Sequence, residues 1–242
     1  MAEFRVGTSG WSYPNWVGPF YPEGLKQNQW LAHYAERFST VELNASFYRP
    51  PMANMLKGWQ RRTPDDFRFA VKAWRMITHS AKLADCDEYL GAFFERLEPL
   101  ADKVGLVLFQ LPPSLSADPE RLDGFLGKLP AGTRAAFEFR HSSWHDEATY
   151  EVLRRHNQAF VPFELAGEWA PRIATADFVY VRLHGREAKY RGQYDEAALD
   201  DWVGWLRAQL TEGRDAYVYF DNTDEADHAV RDAQRLAAKL AA

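Results

Sequence analysis

Short apolar, β-branched or aromatic runs recur along the chain, separated by longer stretches with helical spacing. Eight runs predict strands: Phe4–Thr8, Thr40–Ala45, Arg68–Lys72, Gly105–Leu111, Ala135–Arg140, Ala159–Glu164, Phe178–His184 and Ala216–Asp221. Several, such as Gly105–Gln110, are apolar almost without a break, as parallel strands buried on both faces are. Helical spacing falls at Gln29–Phe38, Met52–Arg61, Tyr89–Asp102, from Asp118-Pro119-Glu120 onward, Asp146–Asn157, Ala197–Leu210 and Glu225–Leu240. The segment after the sixth strand, Pro171–Ala176, carries the weakest pattern.

Strict alternation of strand and helix implies parallel βαβ units. Eight units in 242 residues predict an α/β fold, a single (β/α)8 TIM-type barrel domain over residues 1–242. A doubly wound open sheet is the rival. Its glycine-rich first turn is missing, because Gly7-Thr8-Ser9-Gly10-Trp11 lacks the GxGxxG spacing.

In such barrels ligands meet the C-terminal ends of the strands. Three of those ends share one form, polar–apolar–polar: Glu42-Leu43-Asn44, Glu138-Phe139-Arg140 and Arg182-Leu183-His184. Strand side chains alternate faces, so if Leu43, Phe139 and Leu183 face the helices, both polar partners of each triplet face inward. Lys72, Gln110 and Asp221 end three further strands, and Tyr48 follows the second. Burying so much charge is costly unless it is paired. Two readings follow: a structural salt-bridge layer, pairing Glu138 with Arg182 and Glu42 with Lys72, or a reacting chamber. The number of groups favours the chamber.

Composition narrows the picture. A net charge of −5 argues against duplex nucleic acid as a partner. One cysteine, Cys86, precludes an internal disulfide and sits among acids that keep it unreactive. The N-terminus lacks a leader pattern and no apolar stretch is long enough to span a bilayer, so a cytoplasmic protein with no membrane partner is expected. Glu42, Glu138, His184 and Asp221 suit a divalent metal chemically, but no HxH or HExxH spacing supports one, so a metal is open but not favoured and the cofactor is left undetermined. Two loops stand out. The first-strand loop carries Trp11, Tyr13, Trp16, Phe20 and Tyr21, rings that either stack on a ligand or roof the barrel. The seventh-strand loop, Gly185–Gly192, carries Arg186, Lys189 and Arg191.

The motifs resemble a known family. Gly7-Thr8-Ser9-Gly10-Trp11-Ser12-Tyr13, Thr40-Val41-Glu42-Leu43-Asn44 with Ser46-Phe47-Tyr48, and Ile77-Thr78-His79 are three of them. Gln110-Leu111-Pro112-Pro113-Ser114, Glu138-Phe139-Arg140-His141 with Ser143-Trp144, Arg182-Leu183-His184-Gly185, and Tyr219-Phe220 complete the set. Nearly end to end the chain resembles the domain of unknown function 72, or YecE-like, family. The resemblance implies a barrel and supplies no activity. Asp221-Asn222 stands where the family usually has two asparagines, Glu164 where it has aspartate, and Asp232-Ala233 where Asn-Ala is common.

The residues thus lead to an enzyme acting on a small anionic metabolite, with hydrolase, isomerase and lyase outcomes open. Arg140, Arg182 and Lys72 would hold the anion, with Arg182, Arg140 and the Gly185–Gly192 loop forming its site. Glu138 or Glu42 would act as base with His184 as partner, Asp221 would add charge, and Asn44, Tyr48, Gln110 and Trp11 would line the pocket. The alternative is a non-catalytic binder of a nucleotide or single-stranded nucleic acid, stacking bases on the first loop. Oligomeric state is not encoded in any of these patterns.

Overall fold

The computed structural model describes residues 2–47 and 51–242. Its elements in chain order are β1 (Phe4–Thr8), α1 (Trp30–Ala35), β2 (Thr40–Leu43), α2 (Ala53–Arg61), β3 (Arg68–Lys72), α3 (Asp87–Leu97), β4 (Val104–Leu111) and α4 (Pro119–Leu126). There follow β5 (Ala135–Phe139), α5 (Glu147–Arg155), β6 (Ala159–Phe160), β7 (Phe163–Leu165), β8 (Glu168–Trp169), β9 (Phe178–Leu183), α6 (Glu196–Thr211), β10 (Asp215–Phe220) and α7 (His228–Ala241). Helix starts follow local chemistry. Asp118, Asp146 and Asp195 each accept the backbone N–H three residues on, which satisfies a donor the helix leaves free. The third helix runs shorter than its apolar spacing: past Leu97 the chain tightens into a 3-10 turn at Glu98–Lys103, where Pro99 offers no N–H.

The strands form an α/β arrangement of parallel sheets, but the expected single ladder is divided in two. One five-stranded sheet has the order β1-β10-β9-β7-β8 and the other β2-β3-β4-β5-β6. Both divisions have a physical cause. Between β1 and β2 the Tyr34 hydroxyl of α1 enters the space of the ladder, accepting from Thr8 N at 2.9 Å and donating to Thr40 O at 3.1 Å. Backbone pairing resumes only at the Ser9–Glu42 bridge, where Gly10 N donates to Glu42 O at 2.8 Å. The second division is at Pro162. The predicted strand Ala159–Glu164 breaks there because proline cannot donate to a ladder. Its first half pairs with β5, while Pro162 O accepts from Arg182 N of the other sheet at 3.1 Å.

No helix forms between β7 and β9. The chain makes a tight β7–β8 hairpin through Ala166 (φ +51°) and Gly167 (φ +87°), and Pro171–Ala176 contains neither helix nor strand.

The buried apolar residues separate by strand parity. Val41, Leu43, Val71, Phe109, Phe139, Val181 and Leu183 belong to a large outer core shared with the helices. Ala70, Leu106, Leu108, Ala136, Tyr180 and Tyr219 form a second, inner core between the two sheets. Ionisable groups crown that inner core at the C-terminal strand ends.

Candidate functional site

Arg182, on β9, is the hub. Its Nε donates to Glu42 Oε2 at 2.8 Å and its Nη2 to Glu42 Oε1 at 2.7 Å, a two-point pair between the sheets. Nη1 donates to Glu138 Oε2 at 2.7 Å and to His184 Nε2 at 3.3 Å, and Nη2 also reaches Asp221 Oδ2 at 3.3 Å. All five guanidinium donors are therefore engaged. Glu42 additionally accepts from Tyr180 Oη at 2.5 Å and from Ser9 Oγ.

His184 is the most finely held group. Its Nδ1 lies 2.9 Å from Asp221 Oδ2, and its Nε2 faces Arg140 Nη2 at 3.0 Å. Arginine only donates, so Nε2 carries the lone pair and Nδ1–H points at Asp221. Glu138 Oε2 lies 3.5 Å from the same Nε2, within reach of a proton placed there. Arg140 also donates through Nε to Glu138, and its guanidinium covers the Phe163 ring at 4.4 Å.

Burial by itself would raise the Glu138 carboxyl, but Arg140 and Arg182 on either side hold it well below the ordinary range. Asp221 is likewise lowered: His184 and then Arg182 overcome its desolvation. Lys72 is lowered too, but in an amine that disfavours the charged form. Burial, then the Arg182 charge, push its amine down to about 8 against the pull of Glu138, Glu42 and Asp221. Beside it, burial and the charges of Lys72 and Arg75 push the His79 ring down to about 4.

Of the residues read from the sequence, Glu42, Glu138, Arg140, Arg182, His184 and Asp221 meet in one cluster, with Lys72 in its field. The geometry constrains four of the expected roles. Glu42 pairs with Arg182 and makes no ion pair with Lys72. Arg182 has all its donors engaged within the cluster, so in this structure it organises the cluster rather than facing outward to an anion. The anion site expected between Arg182, Arg140 and the Gly185–Gly192 loop therefore loses one wall. On that loop Arg186 turns away toward Glu164 at 3.7 Å and Asp195 at 3.8 Å. Glu138, held ionised, is a weak proton acceptor and a poor choice of base.

The peripheral assignments scatter. Gln110 lies in register with Glu138 but its amide donates to Leu111 O at 2.9 Å. Asn44 donates to Ser9 Oγ, leaving its buried Oδ1 unpartnered. Trp11 packs edge-on to Trp59 at 5.3 Å and lines a cavity of about 540 Å3 with Tyr13, Asn44, Met55 and Arg62, which Glu42 of the cluster also borders. A larger cavity of about 670 Å3 lies between Gln193–Glu196 and α7, and no cluster residue lines it. Tyr48 lies outside the described residues. The first-loop rings mostly roof the fold: Trp16 and Tyr21 are fully buried, and Tyr21 stacks on Trp30 at 4.8 Å. They offer little platform for stacking bases. Asn222 and Asp232 join each other at 2.9 Å and anchor Gly192 and Tyr194 to α7, a structural role.

Tyr180, Ser9 and His79 escaped the sequence-based site. Tyr180 was legible, two residues before Arg182 and so on its face. His79 sits on a π-helical turn, Met76–Ser80, a geometry frequent at functional sites and invisible to apolar periodicity. The donor set does not fit a divalent metal. Among the described residues no group of three or more His, Cys, Asp or Glu side chains is arranged to hold an ion, because the Arg182 guanidinium lies among the carboxylates. Nor is any helix of the described residues long and apolar enough to cross a membrane.

Known proteins share this architecture. The UPF0759 protein YunF of Bacillus subtilis is 27% identical over 96% of this chain and 93% of its own. A crystal structure of a DUF72 family protein from Thermotoga maritima superposes with a TM-score of 0.89 at 32% identity, covering 99% of this chain and all of that one. A fusion protein described as a xylose isomerase-like TIM barrel joined to 4-hydroxyphenylpyruvate dioxygenase matches at fold level only, with a TM-score of 0.52 at 12% identity over 99% of this chain and 42% of its own. The family model described as "Protein of unknown function DUF72" matches residues 5–242, and the chain belongs to that family.

Proposed function

We propose that this DUF72 chain is an enzyme that moves protons on a small anionic metabolite, an isomerase or lyase by reaction class, with His184 as the proton carrier. One observation carries the reading. The His184 ring is fixed by Asp221 at Nδ1 while its Nε2 has a partner in either protonation state: Arg140 donates to the neutral ring, and Glu138 accepts from the charged one. A base held by a third group and able to rest in both states is what proton shuttling needs. Arg140 would hold the anion, as its Nη1 makes no hydrogen bond among the described residues and its side chain keeps partial exposure. Arg182 would keep Glu138 and Asp221 charged. The metabolite would enter at the C-terminal strand ends, with the two sheets acting as the wall of one eight-stranded barrel domain.

The test offers the protein a mixture of small carboxylated and phosphorylated metabolites and follows their consumption by mass spectrometry. Wild-type protein is expected to consume at least one, and His184→Gln to do so roughly 10²–10⁴-fold more slowly. Equal rates for the two proteins would overturn the assignment.

A further inference from the structure

We infer that Lys72 is the covalent centre of this site, its amine forming an imine with the carbonyl carbon of a small anionic oxo acid or aldehyde. The inference rests on the acid–base reading above and narrows its substrate class to carbonyl anions.

The geometry begins with register. Glu42 pairs with Ala70 across β2 and β3, and Ala70 belongs to the inner core. Lys72, two residues on, shares that face and ends the strand at the edge where the cluster sits. Its Nζ lies 4.6 Å from the centre of the Phe47 ring and has no hydrogen-bond or ion-pair partner among the described residues. Two other buried cations show how the chain treats a structural one. Arg182 spends all five donors, and Lys103 Nζ donates to Gln60 O at 2.8 Å, Thr63 O at 2.7 Å and Thr63 Oγ1 at 3.2 Å. Lys72 receives neither treatment, because the three carboxylates nearby are committed to Arg182. Its side chain, like that of Arg140, is largely covered yet keeps some exposure, while Glu42, Glu138 and Arg182 are sealed.

These are conditions that make a lysine nucleophilic. A desolvated amine beside another cation gives up its proton readily. Burial and the Arg182 charge accordingly bring this one to about 8, so an appreciable share is uncharged near neutral pH. The lone pair attacks the carbonyl carbon and the π pair moves to oxygen. The nitrogen lone pair then expels that oxygen as water. In sum, the amine, the carbonyl and one proton give a protonated imine and one water, whose hydrogens come from the nitrogen and from the acid. The iminium then withdraws electrons from the adjacent carbon, whose proton a neutral His184 would take.

The experiment incubates the protein with glyoxylate, a small anionic aldehyde, and sodium cyanoborohydride, which fixes any imine as a secondary amine. Peptide mass spectrometry then locates the carboxymethyl groups. Lys72 is expected to be modified at least tenfold faster than the exposed Lys57 and Lys189, with a rate that saturates in glyoxylate and falls on Arg140→Met. Modification no faster than at those two lysines overturns the inference. If a metabolite is consumed in a His184-dependent way while Lys72 stays unlabelled, the acid–base reading survives and this one fails. Preferential Lys72 labelling in a protein that consumes no metabolite would do the reverse.

Discussion

Arg182 and Glu42 meet through two parallel hydrogen bonds, 2.8 and 2.7 Å long, that tie β9 of one sheet to β2 of the other. The pair is fully buried, so its worth lies in what breaking it leaves behind. Glu42→Gln strands part of the Arg182 charge and weakens the acceptor used by Ser9 and Tyr180. Urea unfolding is expected to show a loss of about 3–5 kcal/mol. Glu138→Gln should cost less, since Arg182 keeps Glu42 and Asp221 and Arg140 reaches solvent. Equal losses would mean that the hub is not centred on Glu42.

The acidic limb of stability follows from the lowered carboxyls. A carboxyl whose folded value lies below its unfolded one adds stability above the unfolded value and loses it as pH falls toward the folded value. Glu138 and Asp221 both sit below their ordinary values of 4.5 and 3.8. Stability should therefore fall as pH drops below about 4.5. The fall should be shallower in Glu138→Gln, as read by unfolding midpoints between pH 5 and roughly pH 3. Parallel curves would contradict the account.

Lys72 gives a slope of the same sign, but in a base the lowered value means that the charged form is penalised rather than favoured. Its folded value of about 8 lies below the ordinary 10.5, so between the two the unfolded chain binds more protons and stability rises with pH. At its steepest the slope is roughly 1.4 kcal/mol per unit. Below pH 8 the buried ammonium is a burden, and Lys72→Met is expected to melt higher than wild type at pH 7 while losing reactivity toward glyoxylate. A variant that melts several degrees lower would make Lys72 a structural cation.

Tyr34→Phe probes the place where the ladder divides. The hydroxyl serves Thr8 N and Thr40 O, and without it two buried backbone groups lose their partner. A loss of about 1–3 kcal/mol is expected, measured by thermal unfolding. A neutral effect would show that water or a direct β1–β2 rung replaces the hydroxyl.

Much of this was legible in the chain. Period-two alternation sent Leu43, Phe139 and Leu183 to the outer core and brought Glu42, Glu138 and Arg182 together, because sheet parity is a local rule that tertiary context rarely breaks. Pro162 was equally visible and marked where the sixth strand would split. The Tyr34 insertion was not, since it depends on where α1 docks against two strands. Nor was the saturation of Arg182: three carboxylates from β2, β5 and the residue after β10 converge on it only in space. That convergence uses up the donors of Arg182 and leaves Lys72 without a carboxylate partner among the described residues.

If His184 carries a proton to and from carbon, as proposed, deuterium exchange measures it directly. Pyruvate in D2O, followed by proton NMR of its methyl group, reports removal of a proton beside a carbonyl without requiring a complete reaction. Wild-type protein is expected to accelerate loss of the methyl signal over buffer, and His184→Gln to be at least tenfold slower than wild type. A wild-type rate no greater than that of His184→Gln would contradict the account and leave the cluster as a buried salt-bridge layer.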